Sequence, residues 1–185
     1  MISRLTLFAT LLMLAACGHS PETQFLTLDP VPGTPAAGHR GTTVRIPSVQ
    51  VPPELDRVEF ARQTGPGQMK VEDLVHWSAS LGMLARNALI LDLAQRLPSG
   101  TVLPPDSAAQ PRGLRATVAI LSFATAGSDV TMTATYAFGP EDGVAAAPRW
   151  AELRTAGGQT PVETARAFGT LLGLLADRMA ADLPP

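Results

Sequence analysis

Residues 115–138, RATVAILSFATAGSDVTMTATYAF, constrain the fold more than any other stretch. The first half, residues 115–126, is apolar on both parities and reads as a central strand. After Gly127-Ser128-Asp129 the pattern changes: Val130, Met132, Ala134, Tyr136 and Phe138 share one parity, and Thr131, Thr133 and Thr135 the other. Alternation at period two marks a half-buried antiparallel strand. Two long strands joined by a tight turn commit the chain to a sheet with one covered face. The threonine face is left either solvated or covered by another subunit or partner.

The rest of the chain supplies material for that sheet and its cover. Gln24–Pro30 alternates before a Pro/Gly loop over residues 31–42. Val44 and Ile46 share one parity and Val49 and Val51 the other, so a bulge or an edge strand is expected around Pro47. Residues 52–56 form a turn, and Arg57–Gln63 reads as a strand with Val58 and Phe60 inward. The segment TGPGQ is a hairpin connection into a short strand over Met69–Val71. Leu74, Trp77, Leu81, Leu84, Ala88 and Leu91 then recur at helical spacing, predicting a helix over Glu72–Leu97, with Asp92 and Arg96 as an i,i+4 surface pair. Arg149–Thr155 is a last strand.

The closing helix has a definite start: Thr160 at the N-cap, Pro161 at the first helical position, and Glu163 placed to reach back to the Thr160 amide. Its stripe is Phe168, Leu171, Leu172, Leu175 and Met179, with Arg166, Asp177 and Arg178 largely off it, and it ends before Pro184. Gly169 and Gly173 are expected to let this helix pack closely on the sheet. The resulting fold class is α+β: a largely antiparallel sheet of about six strands with two amphipathic helices packed against it.

The N-terminus follows a different plan. Met1–Arg4 carries one positive charge, Leu5–Leu14 is apolar, and Ala15 and Ala16 are small, which is the layout of a secretory signal. The apolar run is far short of the roughly 20 residues of a membrane span. Cys17 is the only cysteine, so it can form neither an internal disulfide nor a cysteine-based zinc site by itself. Leu14-Ala15-Ala16-Cys17 resembles a bacterial lipobox, which implies cleavage between Ala16 and Cys17 and acylation of Cys17. Three acyl chains anchor a protein firmly, each buried CH₂ contributing about 0.8 kcal/mol. Gly18 in place of an aspartate resembles lipoproteins sorted to the outer membrane. The expected layout is a signal peptide over 1–16, a lipidated tether over 17–24 and one domain over 25–185, held on the periplasmic face of the outer membrane.

Charge and motifs narrow the chemistry. Once Arg4 leaves with the signal, 13 basic side chains face 16 acidic ones. With no Lys/Arg cluster, nucleic acid is excluded as a partner. TGPGQM lacks the Lys-Ser/Thr of a phosphate loop, and there is no G-x-S-x-G elbow. His19, His39 and His76 show no metal-ligand spacing, so neither a metal nor a cofactor is expected. His76 is read as a surface or capping residue at the start of the long helix. Glu54, Asp56 and Glu59 around Arg57 read as an ion-pair cluster, since acid–base work needs a cleft that the sequence does not display.

The order of these segments resembles a known family. IPSVQVPPELDRVEFARQ, HWSASLGMLARNALILDLAQRL and RATVAILSFATAGSDVTMTATYAF, following a lipobox, are similar to the ABC-type transport auxiliary lipoproteins of the PqiC type. Pro53, Leu55, Asp56, Arg57, Arg62 and Trp77 match positions of that pattern. Glu54 and Val58 depart from it, where a Tyr-Leu-Asp-Arg-Pro run is usual. The resemblance implies a non-enzymatic subunit of a lipid transport system that supports envelope integrity, docking to an MCE-domain protein of the inner membrane. It leaves a homo-oligomeric ring open. The competing reading of the residues is a lipid-anchored periplasmic enzyme or small-ligand-binding protein.

Overall fold

The computed structural model describes residues 21–35 and 42–184, so Ala16, Cys17, the signal segment, His19 and His39 lie outside the described residues. The strands are β1 (Gln24–Leu26), β2 (Val44–Arg45), β3 (Val49–Gln50), β4 (Glu59–Gly65), β5 (Gln68–Trp77), β6 (Val102–Leu103), β7 (Leu114–Ala126), β8 (Asp129–Pro140) and β9 (Arg149–Ala156). The helices are α1 (Leu81–Arg96), between β5 and β6, and α2 (Pro161–Asp182), after β9.

The hairpin of β7 and β8 is the spine of the sheet. Its turn needs Gly127 at φ 62°, a left-handed conformation that a side chain disfavours. The register passes from Ile120 opposite Ala134 to Ser122 opposite Thr133, leaving Leu121 as an extra residue. That bulge reverses the inward parity: Ala116, Val118 and Ile120 are buried before it, Phe123 and Thr125 after it. The apolar text on both parities of β7 thus records a bulge in a central strand with one open face.

Among the described residues the sheet is mixed and has nine strands, against the expected six or so in a largely antiparallel sheet. Among these strands, β4–β5, β7–β8 and β8–β9 pair antiparallel. Along its other edge β7 takes three parallel partners in succession: β2 at Leu114–Arg115, β3 at Val118–Ala119 and β4 at Ala124. Between β2 and β3 one residue is gained, around Pro47, as the phase switch foresaw. β6 adds to β2, and β1 to β5, both parallel. Parallel pairs join distant segments and leave no turn signal.

The largest correction concerns Glu72–Leu97. Residues up to Trp77 belong to β5, and the helix begins at Leu81, with the Ser80 hydroxyl accepting from the Met83 amide at 3.4 Å. The steps from Leu74 through Trp77 to Leu81 imitated a helical stripe, yet Leu74 and Leu91 are exposed and the buried face is Leu81, Leu84, Ala85, Ala88, Leu89 and Leu93. His76 is therefore a strand residue, beside Phe25 of β1. Val58, expected inward, is exposed, and Phe60 is buried against Trp77 with ring centroids 5.2 Å apart.

α2 follows the sequence closely. Thr160 Oγ1 accepts from the Glu163 amide and Glu163 accepts from the Thr160 amide, closing the capping box. The helix lies over β8 and β9, where Phe168 meets Phe123 with centroids 4.2 Å apart, and it packs beside α1. Both helices cover one face of the sheet. On the other face Thr131, Thr133 and Thr135 stand opposite Arg154, Glu152 and Trp150 of β9.

Candidate functional site

The described chain enters the sheet at β1, and the segment that follows is held by specific contacts to both helices. Leu26 and Leu28 are buried, and residues 29–33 then cross the two helices as a strap. The Asp29 carbonyl lies where a Cβ on Gly169 would approach it to 3.2 Å, and Val31 Cβ where one on Gly173 would approach it to 3.0 Å. The two glycines thus open α2 to the strap, rather than to the sheet as expected. Any side chain there would push the strap away.

Two charged side chains clamp the strap, and a third, Asp177, holds one of them. Asp92, 0% exposed, accepts the Val31 amide on Oδ1 at 2.6 Å. Arg96, 2% exposed, donates to the Val31 carbonyl at 3.2 Å, to the Asp92 carbonyl at 2.9 Å and to Asp177 Oδ1 at 2.5 Å. Gly33 lies against the guanidinium with no room for a side chain. The expected surface pair is instead buried, because the strap roofs it. Asp92 Oδ2 is buried with no hydrogen-bond partner among the described residues, and Arg96 Nη1 is 3.9 Å from Oδ1. Burial therefore outweighs the Val31 bond and the Arg96 charge and raises the Asp92 carboxyl to about 6.

A second group of charges closes the far end of α2. Tyr136 donates to Asp182 Oδ2 at 2.5 Å, Arg149 pairs with Asp182 Oδ1 at 2.6 Å, and Arg178 donates to the Glu152 carbonyl at 3.3 Å. The Tyr136 bond, despite partial desolvation, holds the Asp182 carboxyl below its usual range. Desolvation, and then that same bond, push the Tyr136 hydroxyl up to about 12.

The residues that match the family pattern are brought to the ends of the helices. Leu55 is buried, and Asp56 Oδ1 accepts the Gly82 amide at 3.1 Å in the first turn of α1. Arg62 donates to the carbonyls of Gly158 at 2.5 Å and Gln159 at 3.4 Å, fixing the loop into α2. Among the described residues Arg57 pairs with Glu59 alone, at 3.0 Å on the surface, and Glu54 lies outside that contact. Trp77 is core. These residues position helices; they do not converge on a reacting centre.

Beside the strap runs a groove of about 370 Å³ whose walls include Phe25, Pro30, Val162, Arg166 and Gly169. Among the described residues no group of three or more His, Cys, Asp or Glu side chains is placed to hold a metal ion, and no helix is long and apolar enough to cross a membrane.

The family model of the ABC-type transport auxiliary lipoprotein component matches residues 26–180. The chain belongs to this family. Its members are transport auxiliary components, which is not an enzyme class. Two crystal structures share the fold. One, of an uncharacterized protein, is 16% identical with a TM-score of 0.70, covering 89% of this chain and all of its own. The other, protein XCC0632 from Xanthomonas campestris, described by the family model DUF330, is 10% identical with a TM-score of 0.65, covering 84% and 92%. No curated protein matches the chain.

Proposed function

We propose that the chain is the lipoprotein subunit of an MCE/ABC-type lipid transport system, anchored to the outer membrane through acylated Cys17 and acting by docking to an MCE-domain partner. Family membership carries this reading. The length of the N-terminus supports it: six residues separate Cys17 from Gln24, and the seven steps between them, at about 3.3–3.6 Å each, span at most about 25 Å. A domain on so short a leash stays close to the bilayer.

Membrane fractionation of cells carrying Cys17→Ser tests the anchor. The variant leaves the membrane fraction with its domain folded; a variant still membrane-bound in high salt overturns the assignment. Pull-down of the wild-type chain recovers an MCE-domain protein, and recovery of none counts against the docking role.

A further inference from the structure

Two apolar walls enclose the groove beside the strap. Val162, Ala165, Arg166 and Gly169 recur at i, i+3, i+4 and i+7, so one stripe of α2 makes the first wall. Phe25, Pro30 and Val31 line the second. Ala165 and Gly169 fill little of the space between, which keeps the groove open. Phe25, 64% exposed, and Val162, 37% exposed, leave apolar surface at its lip.

The walls offer little main-chain chemistry. Pro30 and Pro32 carry no amide hydrogen, the Val31 amide is taken by Asp92, and the Val31 carbonyl is taken by Arg96. On the helical side, the amides from Ala165 onward bond within α2. An extended peptide draws its affinity from such groups, and β1 is only three residues long, so a strand is a poor occupant. Side chains supply the polarity instead. Asp29 and Arg166 border the groove, both exposed, and among the described residues neither enters an ion pair.

We propose that this groove binds one acyl chain of a phospholipid whose head carries both a phosphate and a primary amine. The chain is buried between the apolar walls. The phosphate meets the Arg166 guanidinium, and the ammonium meets the Asp29 carboxylate. A lipid with a phosphate alone brings no partner for Asp29. At about 370 Å³ the groove is at the small end of ligand pockets, which run from about 300 to 1,000 Å³, so it takes one chain and leaves a second outside. The source of the lipid rests on the proposed acylation of Cys17. Gln24 also lines the groove and is seven steps, at most about 25 Å, from Cys17, so the leaflet that holds the anchor supplies the ligand. The recognition chemistry does not depend on the anchor.

Photoaffinity labelling tests it on the full chain in phosphatidylcholine vesicles that carry a trace of phosphatidylethanolamine or phosphatidylglycerol with a diazirine in one acyl chain. Mass spectrometry maps the labels, and circular dichroism reads the fold. The ethanolamine lipid labels residues 25–32 and 162–170, about threefold more than the glycerol lipid does, as befits an exposed ion pair. Val162→Trp fills the mouth and lowers this labelling about tenfold. Arg166→Gln lowers labelling by both lipids, and Asp29→Asn removes the preference between them. Labels confined to other surfaces, equal labelling of the wild type by the two lipids, or a folded Val162→Trp chain labelled like the wild type overturns the proposal. An unlabelled groove also overturns it and is the result a peptide site would give. A chain that does not float with the vesicles overturns the anchor instead, and photoreactive lysophosphatidylethanolamine added to that chain in solution then decides the groove by the same labels.

Discussion

Asp92 with Arg96 and Asp182 with Arg149 are built from the same two side-chain types, and they do different work. The inner pair is fully enclosed beneath the strap, at 0% and 2% exposure, and its guanidinium satisfies two carbonyls as well as Asp177. The outer pair is 30% and 58% exposed at the rim of α2. Enclosed charges hold their place because nothing else can solvate them; exposed charges have water as an alternative. Chemical kind is shared, and burial separates an obligatory clamp from an optional one.

Removing one member of each pair gives the sharpest contrast. Arg96→Ala strands Asp92 in the interior and should cost about 3–5 kcal/mol in urea unfolding, with the strap amides, Val31 foremost, losing hydrogen-exchange protection. An effect below about 1 kcal/mol would equate the two pairs and break the comparison.

Acidity probes the inner pair without removing it. Burial raises the folded Asp92 carboxyl to about 6, against 3.8 in a free side chain, so the folded chain holds a proton there that the unfolded chain releases. The stability this group contributes is full below about pH 4 and is lost as pH rises through 6. Asp92 is faced by Arg96, Asp177 and the Val31 amide, and Asn keeps the acceptor for Val31. The difference in unfolding free energy between wild type and Asp92→Asn should therefore change between pH 5 and 7.5, the wild type losing ground as pH rises. A constant difference would place the Asp92 carboxyl in its ordinary range. Asp182 and Glu141, depressed by Tyr136 and Arg45 respectively, act oppositely and withdraw stability only at lower pH.

Arg149→Ala carries the smallest effect, below about 1 kcal/mol, because Tyr136 and water still serve Asp182. A loss as large as that of Arg96→Ala would show the rim to be as tightly held as the clamp.

What could be read from sequence was local. α2 announced itself through Thr160, Pro161 and Glu163, three residues whose contacts lie within one turn. The β7–β8 hairpin did so through alternation and Gly127. The start of α1 was missed because Leu74, Trp77 and Leu81 satisfy helical spacing by coincidence, and only the partners β4 and β1 make residues 72–77 a strand. The clamp was missed for the same reason. Asp92 and Arg96 at i,i+4 look like a solvated pair until residues from more than 60 positions earlier are laid over them. Gly169 and Gly173 did signal a close approach, but not which segment approaches.

The strap has a consequence for the order of assembly. Its partners, Asp92, Arg96, Gly169 and Gly173, are spread over two helices that come much later in the chain. Contacts so distant in sequence form late, after the intervening loop entropy has been overcome. The first part of the domain to leave the ribosome is thus the last to find its seat, and the strap stays free until the helices are in place.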